Sequence, residues 1–163
     1  VSDIKVLEDY PEKTIVVRTD DVMKSDLGSH FGKVYPEGFG IVGGLKMEGP
    51  YALFYTGGCP LSEDKPNKIG SAFALLDASE SPNNFPSPWT KETLAGGKIV
   101  EATYKGSYDD LASGYSAIFN FINENNLQFN QSIGYSWEYY KSDPTSCSPE
   151  ECITMIYIPV ETK

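Results

Sequence analysis

Within Gly134–Pro144, GYSWEYYKSDP, one carboxylate, Glu138, stands among three tyrosines and a tryptophan. Side chains on a strand alternate between its faces. A strand here sends Glu138 and Tyr140 one way, and Tyr135, Trp137 and Tyr139 the other. The second set reads as core. The first sets an acid beside a ring, a contact surface for a cationic, ring-containing ligand. A solvated Glu on an exposed strand is the plainer reading. Nucleophilic catalysis has less to work with, because the single histidine, His30, falls on a predicted helix in the other half of the chain. One His and no Cys-x-x-Cys predict neither a metal nor an organic cofactor.

The elements that hold this strand follow from pattern and punctuation. Thr14–Asp20, Tyr51–Thr56, Ile69–Asp77, Lys98–Lys105, Tyr135–Lys141 and Cys152–Val160 read as strands. Met23, Leu27, Phe31 and Val34 recur at helical spacing and predict a helix over Asp20–Tyr35, stopped by Pro36. Gly38–Pro50 is glycine-rich and reads as loop. Ser107–Asp110 fits a capping box ahead of a second helix with Leu111, Tyr115, Ile118, Phe119 and Ile122 on one face. Val1–Lys13 reads as a polar lead-in, and the stretch with Pro82, Pro86 and Pro88 as a linker.

The order is strand, helix, strand, strand, and then the same again. At one constant offset Ile15 and Val16 fall on Ile99 and Val100, Leu27 on Leu111, Tyr51 on Tyr135, Pro60 on Pro144, and Phe73 on Tyr157. The pattern predicts one α+β domain over residues 1–163: a tandem pseudo-symmetric repeat, with units at about 12–80 and 96–163 and a linker at 81–95. Each unit has one helix for one face of its antiparallel sheet. The uncovered faces would then form a central groove, a common place for small-molecule pockets. Phe54 falls at the position matching Glu138, so one side of the groove would be aromatic and the other acidic.

The totals narrow the function. A chain of 163 residues can bury a sizeable core. Aromatics at 13% exceed what such a core needs and point to a ring-lined site. The formal charge of −10, without a basic cluster or a helix-turn-helix head, predicts no direct nucleic-acid binding. No run approaches the roughly 18 apolar residues of a membrane span, and no signal peptide is legible, which predicts a cytoplasmic protein. Cys147 and Cys152 could pair in an oxidising compartment, leaving Cys59 over; free thiols are the alternative.

The second unit resembles the gyrase-inhibitor-like (GyrI-like) family, which also supplies the effector-binding domains of some AraC-type and MerR-type multidrug regulators. The resemblance rests on Gly96-Gly97 before a strand, Gly106-Ser107-Tyr108 entering a helix, Glu138-Tyr139-Tyr140 on a strand, Asp143-Pro144 after it, and Ile158-Pro159 in the last strand. It implies two strand–helix–strand–strand repeats around a groove, with the strand glutamate at the bottom and rings stacking the ligand. On this chain that implies Glu138, with Tyr140, Tyr108 and Tyr157 from the motif. Phe54, Thr56 and Phe73 follow only from the internal repeat. Trp89 would either lid the groove or pack on the core. The resemblance implies a stand-alone module that senses or sequesters cationic, aromatic or amphipathic ligands. It leaves open a cofactor-free hydrolase of strained electrophiles using Glu138 and Tyr140, and a protein-binding module like the gyrase inhibitor.

Overall fold

The computed structural model describes residues 1–58, 60–107, 111–142, 148 and 150–163, with the backbone alone at Glu80 and Ala112. The strands are β1 (Ser2–Tyr10), β2 (Lys13–Val22), β3 (Met47–Phe54), β4 (Asn67–Leu75), β5 (Thr90–Leu94), β6 (Gly97–Lys105), β7 (Leu127–Phe129), β8 (Ser136–Tyr140) and β9 (Ile153–Thr162). The helices are α1 (Leu27–Val42) and α2 (Leu111–Glu124). Eight strands run in the order β1-β6-β9-β8-β3-β4-β2-β5, and β7 pairs with β9 off this path. Every pairing is antiparallel. Only Pro11 and Glu12 join β1 to β2, although these strands lie near opposite ends of that order. The sheet must therefore curl. Gly96 allows it: a Cβ there would come within 2.4 Å of the Tyr10 carbonyl oxygen.

Strand pairing sorts the side chains by face. Ser71 pairs with Ala52, Ala52 with Glu138, and Glu138 with Ile156. That face carries both helices. Val16 and Phe73 pack with Val34, Tyr35 and Val42 of α1. Val100, Ala102, Ile156 and Ile158 pack with Ile118 and Ile122 of α2. The opposite face buries Ile15, Val17, Tyr51, Leu53, Ile99, Trp137 and Tyr157 in a core of its own.

The helix near Pro36 runs further than expected. Proline removes one intrahelical hydrogen bond, but the buried stripe of Val34 and Tyr35 continues through Gly38 and Val42, and packing carries the helix on. Gly38 is essential to that contact, since a Cβ would lie 2.3 Å from the Phe73 ring and 2.7 Å from Trp89. Gly38→Ala is expected to lower stability by about 1–3 kcal/mol through overpacking, read as a fall in the thermal midpoint.

Three strands were not expected. β1 occupies the supposed lead-in, β5 the end of the supposed linker, and β7 follows α2. β1 buries none of its residues and β5 only Leu94, while β7, with Leu127 and Phe129 buried, is only three residues long. Among the described residues no helix is long and apolar enough to cross a membrane. Cys152 is disulfide-bonded to a partner outside the described residues.

Candidate functional site

β8 delivers Glu138 and Tyr140 to the helix-covered face because its period of two is locked by pairing on both sides. Glu138 is 3% exposed. The Tyr140 hydroxyl donates to Glu138 Oε1 at 2.7 Å. From α2, the Tyr115 hydroxyl donates to Glu138 Oε2 at 2.5 Å. No cation forms an ion pair with Glu138 among the described residues.

Burial raises the Glu138 carboxyl above its ordinary pKa, and the hydrogen bonds from Tyr115 and Tyr140 pull only partly against it. Burial, and then the charge of Glu138, push Tyr115 and Tyr140 well above the usual phenol range. Both tyrosines therefore keep their protons and act as donors. Tyr115→Phe removes one donor from the carboxylate and is expected to raise the Glu138 pKa further, followed by carbon-13 NMR titration of that carboxyl.

Rings continue from this acid along α1. Tyr140 lies 6.3 Å from Phe31, Phe31 stacks on Tyr35 at 5.0 Å, Tyr35 meets Phe73 edge-on at 6.0 Å, and Phe73 lies 6.2 Å from Trp89. Trp89 is 2% exposed, and its indole N–H donates to Glu37 at 2.8 Å. It is packed on the core rather than poised as a lid. Phe54, half-buried, shares the Glu138 face and pairs with Ser136.

Of the residues expected at the site, the structure sets Tyr140 against Glu138, while Phe73 and Trp89 stand three and four ring contacts beyond Tyr140. It does not bring Tyr157 to the acid. Tyr157 pairs with Trp137 and stacks on it at 5.8 Å on the opposite face, because the β9 register sets Ile156 beside Glu138. Tyr108 lies outside the described residues. Glu138 also sits on the covered face, not on the uncovered one where the groove was expected. A pocket of about 520 Å³ on the uncovered side, lined in part by Lys5, Glu101, Thr103, Lys141 and Met155, does not include Glu138. Tyr115 and Phe31 were legible only as helix core and Tyr35 only as the end of the first helix; the one hint at Tyr115 is a hydroxyl inside an apolar stripe. Among the described residues no group of three or more His, Cys, Asp or Glu could hold a metal ion.

A family model, the GyrI-like small molecule binding domain, matches residues 61–161. No curated protein matches the chain. EcmrR, solved in a DNA complex, superposes with a TM-score of 0.78 at 18% identity, over 98% of this chain and 58% of that one, so this chain spans less than two thirds of its length. SAV2435 bound to tetraphenylphosphonium gives 0.60 at 16% identity, covering 98% and 94%. A hydrolase from Listeria innocua gives 0.67 at 13%, covering 97% and 91%. At these identities the likeness to the three structures is one of fold.

Proposed function

The chain belongs to the GyrI-like small-molecule-binding family, and from that premise we propose that it senses or sequesters cationic, aromatic or amphipathic small molecules at Glu138. The observation that carries this reading is a fully buried carboxylate with two tyrosine donors and no cation beside it among the described residues. Burying a lone charge is costly. An entering cation offsets that cost, and ring faces add cation–π attraction of up to ~2 kcal/mol when desolvated. Phe31, Tyr35, Tyr140, Phe73 and Trp89 supply ring surface, and Phe54 borders the same face. Because Glu138 is 3% exposed, a ligand has to part the side chains above it. Stacking tolerates many ring shapes, so specificity is broad and one acid selects charge.

The two units are copies in this reading. β2–α1–β3–β4 and β6–α2–β8–β9 share their order and meet where Leu53 pairs with Trp137, which match at the repeat offset. Glu138, one step away, would then lie close to a pseudo-twofold axis. SAV2435 with tetraphenylphosphonium supports a cation site on this fold, and EcmrR on DNA supports an effector-sensing role. The formal charge of −10 favours a small molecule over direct contact with nucleic acid.

A saturable fluorescence titration with a planar cationic dye, displaced by tetraphenylphosphonium, tests the reading. Absence of any saturable cation binding defeats it. A second reading draws on the same geometry: Glu138 as a base toward water, with Tyr115 or Tyr140 as proton donor, would open a strained electrophile without a cofactor. Turnover of such a compound that vanishes in Glu138→Gln would favour hydrolysis over binding.

A further inference from the structure

We infer that the hydroxyls of Ser71 and Thr154 make the Glu138 site select cations bearing N–H donors, such as protonated amines, amidines or amino-substituted ring cations, over fully substituted cations. The inference rests on Glu138 being the ligand site and names the ligand chemistry that site prefers. Ser71 and Thr154 are both 0% exposed, and neither hydroxyl has a hydrogen-bond partner among the described residues. Buried hydroxyls without partners are rare in folded proteins, because each has given up its water for nothing.

Both hydroxyls lie on the face that carries Glu138. Ser71 pairs with Ala52 and Ala52 with Glu138, so Ser71 stands two strands away in the same row. At about 4.8 Å per strand, that is roughly 10 Å. Thr154 pairs with Tyr140, one diagonal step from Glu138 on the neighbouring strand. Ala52 lies between Ser71 and Glu138 and Ile156 beside Glu138, both apolar and buried; on the far side of Ser71 stands Arg18, whose charge is held by Asp20 at 2.9 Å and Glu37 at 3.0 Å. The methyl group of Ala52 leaves the floor low between Ser71 and the acid. A flat ligand of two or three fused rings spans such a distance.

The hydrogen-bonding capacity of the floor sets the preference. Each Glu138 oxygen accepts one tyrosine hydroxyl, and a carboxylate oxygen has room for a second donor. A cation with N–H groups can fill that capacity at Glu138 and give Ser71 or Thr154 its missing partner. A tetra-aryl or fully alkylated cation offers only C–H and leaves the hydroxyls unpaired. Sites built to hydrogen-bond a ligand reject analogues that lack the bonding group, for this reason.

Proflavine and acridine orange test the point. At neutral pH they share one cationic ring system and its single ring N–H, so the pair isolates the amino groups, which carry N–H in proflavine and are fully methylated in acridine orange. Fluorescence titrations of the wild type, Ser71→Ala, Thr154→Val and Glu138→Gln give the ratio of the two affinities in each protein, with thermal melts confirming that each variant folds. The expected result is a preference for proflavine in the wild type that falls by about tenfold in Ser71→Ala or Thr154→Val, the worth of one hydrogen bond. Acridine orange should bind all three of these proteins alike. If Glu138→Gln weakens both dyes but the ratio ignores Ser71 and Thr154, the site stands and this inference is overturned. If neither dye binds saturably, both fall together.

Discussion

Replacing Glu138 with Gln is expected to weaken binding of a planar cation by about ten- to a hundredfold, while a neutral analogue of the same shape binds nearly as before. The substitution keeps size and one acceptor oxygen. It removes the charge of the carboxylate held between the Tyr115 and Tyr140 hydroxyls. Hydrogen bonds to charged groups contribute roughly 1.5–3 kcal/mol net, which converts to about the stated range in affinity. The neutral analogue loses none of this, because the Phe31, Tyr35 and Phe73 rings are untouched. Tyr140→Ala makes the contrast: it removes ring area and a donor together, so both ligands should weaken. Isothermal titration of the matched pair against the three proteins measures all of this. Equal losses for cation and neutral ligand in Glu138→Gln would make the acid a structural group.

Why the acid was readable from sequence and its surroundings were not is a matter of range. Glu138 and Tyr140 share a face because strand alternation is local, and the same rule put Trp137 and Tyr139 opposite them. The α2 stripe of Leu111, Tyr115, Ile118 and Ile122 was equally local. What alternation cannot give is register between strands distant in sequence. Tyr157 was placed beside Glu138 by motif, yet a shift of one residue decides the face, and the observed pairing of Trp137 with Tyr157 turns that ring away. The helix contacts are longer in range still. That Tyr115 reaches the carboxylate across 23 residues of sequence depends on how α2 lies on the sheet. No periodicity encodes that. β1 escaped notice for a different reason: it is an edge strand with no buried residue, and its pairing with β6 lies far along the chain. Trp89 was ambiguous because a proline-rich stretch gives no face at all; its indole hydrogen bond to Glu37 and its contact with Phe73 decide the matter.

The proton on Glu138 should couple stability and ligand binding to pH with opposite signs. In the empty protein its pKa lies above the ordinary 4.5 because burial disfavours the charge. Between the ordinary and the raised value the folded chain keeps a proton that the unfolded chain has released, so stability falls as pH rises through that window. Above the raised value the loss is complete and the contribution is flat. A bound cation reverses the preference by stabilising the carboxylate. Binding at pH values below the raised pKa must therefore expel a proton, and affinity should fall by up to tenfold for each pH unit of acidification there. Tetraphenylphosphonium is a suitable probe, because its charge does not titrate. Thermal melts of the wild type and Glu138→Gln, with and without the cation, from about pH 4 to about pH 9, cover the carboxylate and histidine ranges. Taking the difference between the two proteins removes the slopes contributed by other groups, including His30, whose pKa burial lowers. The empty variant should gain on the wild type as pH rises, and the cation-induced shift of the wild type should grow over the same window. A difference between the two proteins that stays level across the whole range would mean that Glu138 binds protons alike folded and unfolded, and burial would then impose no charge penalty for a cation to relieve.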